Sequence, residues 1–162
     1  MGGVKSSGNT REFETGAHRD CAKGKGRCDL LPLIQASEVL GKTSENGSRD
    51  VVTYNLGLFQ KDPKREYILA AIEEGINTLP GLNGCMYTAM LEVSHLYEDG
   101  AEKYGENNWQ KGMPVSVYID SGIRHYIKAM RGDSDEPHHR GFIWNMLGAL
   151  WTIDNIPQNS SD

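Results

Sequence analysis

Apolar residues recur at helical spacing through most of the chain's second half, and prolines mark where the stretches begin. The run DPKREYILAAIEEGIN over 62–77 carries good helix formers behind Asp62 and Pro63, which read as an N-cap and a first helical position. The break LPGLNG separates it from a second helix at about 88–103, and further helices are predicted over 114–130 and 137–154, each opening at a proline. A shorter one is predicted over 33–40. Alternating strand patterns are weak and no internal repeat is visible. The fold class expected is all-α, a small bundle of four to five helices.

Outside these stretches the pattern changes. Residues 13–33, FETGAHRDCAKGKGRCDLLPL, form an irregular basic loop punctuated by glycine and anchored by a short apolar end, and GKTSENGSRD is loop by composition. Residues 1–12 and 157–162 contain little to bury and read as tails, leaving one domain over 13–156. The opening MGGVKS fits the loose myristoylation pattern without further support. GKTS resembles the end of a phosphate-binding P-loop, but Ala36 stands where that motif needs glycine and no strand precedes it.

A chain of 162 residues suits one domain. Its 38% hydrophobic and 8% aromatic content is low for a monomer of this size and fits a homo-oligomer in which a partner subunit completes the core. The formal net charge of -5 argues against nucleic-acid polymers or acidic membranes as partners of the whole surface. Cys21, Cys28 and Cys85 have neither disulfide-framework nor zinc spacing, and no apolar run is long enough for a membrane span or signal peptide. A cytoplasmic protein is the expectation.

Candidate chemistry concentrates on the second helix. Glu92, His95, Glu98, Asp99 and Glu102 fall within about a 120° arc, opposite Ala89, Val93, Leu96 and Tyr97. Glu98 and Glu102 repel at i,i+4 spacing, a conflict that a divalent cation removes; Mg²⁺ favours such oxygens and takes substrate phosphates as further ligands. A solvated surface is the bland alternative. A second acidic group, Asp133, Asp135 and Glu136, precedes the Pro137 helix start, where negative charge also meets the helix dipole favourably. His138 follows, and Asn145 interrupts an apolar stripe of Phe142, Met146, Leu147, Ala149 and Leu150, so its amide must bind either the protein or a ligand. Arg124, His125, Lys128 and Arg131 form a cationic strip, with Asp120 and Arg124 also an i,i+4 pair.

Taken together, GKGR-DLLP, KYGENNWQKG, RHYIK, RGDSDEPH and WN, in that order over about 13–40 and 88–156, closely resemble the phage-type dATP/dGTP diphosphohydrolase family, related to the all-α, MazG-like nucleotide pyrophosphohydrolases. The segment 41–87 looks like an insertion relative to shorter members. The resemblance implies Mg²⁺- or Mn²⁺-dependent hydrolysis of a purine deoxynucleoside triphosphate to monophosphate and pyrophosphate, in host cytoplasm if the protein is phage-encoded. MazG-like enzymes carry E-E-x-x-E and a later E-x-x-D; Glu98-Asp99-x-x-Glu102 fits the first with Asp second, and the second is absent, with Asp135 and Glu136 as substitutes. Glu98 and Glu102 are thus the expected catalytic residues, and Glu98, Asp99, Glu102, Asp135 and Glu136 the expected metal ligands. The expected substrate contacts are Arg19, Lys23, Lys25, Arg27, Lys103 and Arg124 toward phosphates, with His125 and His138 also among them, Tyr104 and Trp109 stacking on a base and Asn108 or Asn145 reading its edge. A non-catalytic nucleotide-binding module or helical adaptor is the alternative. A His-Asp metal phosphohydrolase is disfavoured, because His138-His139 lacks the dipeptide such sites use.

Overall fold

The computed structural model describes residues 10–42 and 47–158. MGGVKS, the outer parts of both expected tails, and Thr43 and Ser44 of GKTS lie outside them. Among the described residues the chain forms six α-helices and one two-stranded sheet. Helix α1 spans Leu33–Gly41, α2 Val51–Lys61, α3 Arg65–Thr78, α4 Met86–Tyr104, α5 Val115–Arg131 and α6 His138–Asn155. The all-α expectation holds, with one more helix than the expected four to five.

The additional helix is α2. Its sequence VVTYNLGLFQK opens with β-branched residues and carries an interior Asn and Gly, all weak helix formers. Context outweighs propensity. The Asp50 side chain caps it by accepting from the Thr53 N–H at 2.9 Å, and its other oxygen accepts from the Tyr126 hydroxyl of α5 at 2.5 Å. Val52, Leu56 and Phe59 then enter the core. Asp62 is accordingly the residue that ends α2, and α3 begins at Arg65, so the expected Asp62–Pro63 start is a link between helices instead. Residues 41–87 contribute Leu56, Ile68, Ala71 and Ile76 to the core, all at 1% exposure or less, so the expected insertion is integral to the bundle.

Helices α5 and α6 form the most extensive pair, with α4 and α3 packed on α6 and with α2 joining α1 to α3. The α5–α6 approach is close because Gly148 is small: a Cβ there would lie 2.3 Å from the Tyr118 ring. Ile119, Ile123 and Tyr126 of α5 meet Phe142, Ile143, Met146 and Ala149 of α6 in the buried cluster.

The sheet pairs β1, Thr10–Glu12, antiparallel with β2, His18–Asp20, in the register Thr10↔Asp20, Arg11↔Arg19 and Glu12↔His18. Residues 10–12, assigned by composition to a tail, are therefore a strand. Asn108 fixes the ribbon to the bundle: its amide accepts from the His18 N–H and donates to the His18 carbonyl, both at 2.9 Å, as a neighbouring strand would. No helix among the described residues is long and apolar enough to cross a membrane.

Candidate functional site

Between α4, α5, the start of α6 and the β2 loop lies a cleft of about 600 Å³, a size that suits a nucleotide-sized ligand. Carboxylates in its lining come from α4 as Asp99 and Glu102, from the turn before α6 as Glu136, from β2 as Asp20 and from α5 as Asp120. Cations come from the ribbon, its loop and α5, as Arg11, Arg19, Lys25 and Lys128. Tyr97, Tyr104, Trp109 and Trp144 supply aromatic surface.

The helix geometry sorts the expected metal ligands. Ala89, Val93 and Leu96 define the buried stripe of α4, and Asp99, three residues beyond Leu96, continues it toward the cleft. Glu98 is turned away: it is exposed and is not part of the cleft wall. Among the described residues, ligand atoms gather within 4.8 Å of one another in two groups, His125–Glu136–His138 and Asp133–Asp135–His138, and neither contains Glu98, Asp99 or Glu102. The structure thus does not assemble the five expected carboxylates into one set. Asp99 and Glu102, one helical turn apart in the cleft, do fit a hard cation held by one or two carboxylates with phosphates and water completing its shell.

Several expected substrate ligands are engaged by the protein itself. Arg124, 9% exposed, pairs with Asp120 at 2.6 Å and donates to the carbonyls of Lys25 at 3.2 Å and Gly26 at 2.6 Å. Asp120 in turn accepts from the N–H groups of Cys28 at 2.7 Å and Asp29 at 3.3 Å. This buried pair is a clamp on the basic loop rather than a free phosphate ligand. Arg27 pairs with Asp29, and Lys103 and the Tyr104 hydroxyl both donate to Asp20. Lys23 is exposed and outside the cleft wall. The glycines at 24 and 26 take left-handed turn conformations, with φ of +83° and +85°, and the space beside each would-be Cβ is open to 4 Å.

The two expected base-reading amides are likewise occupied. Asn108 holds β2, as above, and Asn145 donates to the Gly141 carbonyl at 2.7 Å and accepts from Arg19 at 2.6 Å. Arg19 lies over the rings of Tyr118 and Trp144, 5.7 and 5.3 Å from their centroids. Burial pushes its guanidinium down to about 10, so it stays cationic at neutral pH. Trp109 packs edge-on against Tyr97 and Trp151 at 5.7 and 5.0 Å while also bordering the cleft.

The expected substrate contacts His125 and His138 form a pair. Their Nδ1 atoms are 2.9 Å apart, and His138 Nε2 lies 2.7 Å from Asp135. His138 is 2% exposed, whereas His125 borders the cleft and has its ring held against Gly141, where a Cβ would lie 2.7 Å away. Burial, with His138 adding to it, pushes His125 down to about 3, so its ring is neutral at physiological pH.

Sequence reading did not single out Arg11, His18, Asp20, Tyr97, Trp144 or Ser121 as site residues, although all border the cleft. The signal for Arg11 and Asp20 was the pairing of their two short strands, which three-residue segments are too short to announce.

Carboxylates and cations thus line a single cleft of this helical domain, a chemistry suited to an anionic ligand. The family model described as dATP/dGTP diphosphohydrolase, N-terminal, matches residues 73–161, more than half of the chain, and the chain belongs to that family. The match begins within α3, so 73–87 of the expected insertion fall inside the family region, and the resemblance over 13–40 falls outside it. No curated protein and no solved structure matches the chain.

Proposed function

We propose that the chain hydrolyses purine deoxynucleoside triphosphates, dATP or dGTP, to the monophosphate and pyrophosphate in this cleft. The observation that carries the reading, beside family membership, is that Asp99 and Glu102 line the same cleft as Arg11, Lys25 and Lys128. Asp99 and Glu102 would hold Mg²⁺ or Mn²⁺, which supplies Lewis-acid activation of the attacking water and neutralises phosphate charge. Lys25 and Lys128 meet the charge that grows on the departing pyrophosphate. Tyr104 and Trp109 offer faces for the purine. The Asp120–Arg124 clamp keeps the loop cations against the cleft, so positioning is inherent in the folded loop.

The same reading includes a dimer or tetramer. Its support is the outer face of α4, where Met86, Tyr87, Met90 and Leu91 are 42–85% exposed. A non-catalytic nucleotide binder would leave the acidic wall without work, and no feature of the cleft favours it.

The test incubates the purified chain, its mass established by light scattering, with each deoxynucleoside and ribonucleoside triphosphate, with Mg²⁺, Mn²⁺ or EDTA, and resolves the products. Metal-dependent dAMP or dGMP with equimolar pyrophosphate is expected. Nucleotide binding without turnover under both metals refutes the hydrolase reading.

A further inference from the structure

His125 lies on α5 and His138 opens α6, 13 residues later across the RGDSDEP turn, so their meeting is a product of the α5–α6 packing. Three observations converge there. The two Nδ1 atoms are 2.9 Å apart. A Glu136 oxygen belongs to the same group, within 4.8 Å of the imidazole nitrogens. On its far side His138 Nε2 is 2.7 Å from an Asp135 oxygen.

We propose that His125, His138 and Glu136 form a binding site for a first-row transition-metal dication, a two-histidine, one-carboxylate set separate from the Asp99–Glu102 wall. Two nitrogens 2.9 Å apart, each about 2.1 Å from a common ion, subtend about 90° there. That is the cis angle of an octahedral centre; a tetrahedral one needs about 3.4 Å between them by the same bond length. Imidazole nitrogen favours ions such as Fe²⁺, Co²⁺ or Ni²⁺ over Mg²⁺, and a face of two histidines and a carboxylate leaves the remaining positions open.

The outer contacts agree. A carboxylate at His138 Nε2 accepts a hydrogen bond from the ring N–H there, which leaves Nδ1 with its lone pair inward, as a metal-ligating histidine requires. Gly141 and the burial of His138 fix the orientation of both rings. The other candidate group, Asp133–Asp135–His138, is less suited: Arg131 holds both oxygens of Asp133, and Asp135 is engaged by His138. His125 and Glu136 also border the cleft, so an ion held here would sit beside the space assigned to the nucleotide. The proposal goes beyond the hydrolase reading and does not depend on it.

The experiment titrates the metal-free full chain, without nucleotide, with Co²⁺, Mn²⁺ and Mg²⁺ separately. Calorimetry and the visible absorption of Co²⁺ are the readouts. One Co²⁺ per chain with the weak absorption of a six-coordinate centre is expected, and Mg²⁺ at the same concentration does not displace it. His125→Ala or Glu136→Gln should abolish tight binding, and Asp135→Asn should weaken it about 10–100-fold, with helicity checked by circular dichroism. Should a variant misfold, paramagnetic broadening of the His125 and His138 ring signals by Co²⁺ in the wild-type chain gives the answer instead. Absence of Co²⁺ and Mn²⁺ binding, absence of that broadening, or loss of binding in Asp99→Asn but not in His125→Ala overturns the proposal.

Discussion

Replacing Asp120 by Ala tests whether the basic loop is held by the buried clamp. Asp120 and Arg124 side chains are 6% and 10% exposed, so solvent screens their attraction little. The substitution removes the acceptor for the Cys28 and Asp29 N–H groups, each bond worth about 1 kcal/mol net. It also strands the Arg124 charge, and breaking a buried pair from one side costs about 3–5 kcal/mol in all. These hydrogen bonds tie the loop to α5, so the effect is expected as loop detachment with the helices retained. At 3 kcal/mol the detached population rises about 150-fold. Trypsin reports it, because Lys23, Lys25 and Arg27 lie in that loop and cleavage follows the open population when closing outpaces cutting. The variant should be cut there about two orders of magnitude faster than the wild type, with far-ultraviolet circular dichroism preserved. Asp120→Asn keeps an acceptor for the loop amides but turns an N–H₂ toward Arg124, and should fall between the two. Cleavage of Asp120→Ala within twofold of the wild-type rate refutes the clamp.

Leu56 on α2 is fully buried, so Leu56→Ala should lower the urea-denaturation free energy by about 2–5 kcal/mol; a change under 1 kcal/mol would mean that α2 does not anchor the core. Glu92 accepts from Arg140 and lies against His139, and the Arg140 hydrogen bond is the main cause holding its carboxyl below the ordinary value of 4.5. A depressed carboxylate contributes stability that is present above the unfolded value and lost as pH falls through the folded one. Glu92→Gln should therefore flatten the stability–pH curve below about pH 4.5, and an unchanged acid limb in thermal melts speaks against it. In the product assay Glu102→Gln should lose most turnover while Glu98→Gln, outside the cleft wall, keeps it; the reverse ranking means that the wrong face of α4 has been assigned.

What the sequence could announce was local. Helical spacing placed α3, α4, α5 and α6 to within a few residues because each carries its own apolar stripe, and Pro114 and Pro137 mark the starts of α5 and α6. Helix α2 escaped because Val51, Val52, Thr53, Asn55 and Gly57 oppose helix propensity, and what stabilises it, Asp50 bound to Tyr126, spans 76 residues. The ribbon escaped for a similar reason, since Asn108 recognises His18 from 90 residues away. In the site, the spacing of α4 gathered the carboxylates into an arc but did not reveal that Glu98 faces outward, which depends on where α6 packs. Arg124 illustrates the converse: the i,i+4 partner Asp120 was legible, whereas the loop carbonyls that occupy its remaining donors were not. The His125–His138 contact lies across a turn, and neither residue's helix position alone implies it.

The most direct test of the central claim is hydrolysis of dGTP and dATP in ¹⁸O-labelled water under single-turnover conditions, followed by ³¹P spectroscopy of the products. Attack at the α-phosphorus in the Asp99–Glu102 cleft predicts label in the deoxynucleoside monophosphate and none in the pyrophosphate. Label in pyrophosphate, or release of labelled orthophosphate, contradicts it.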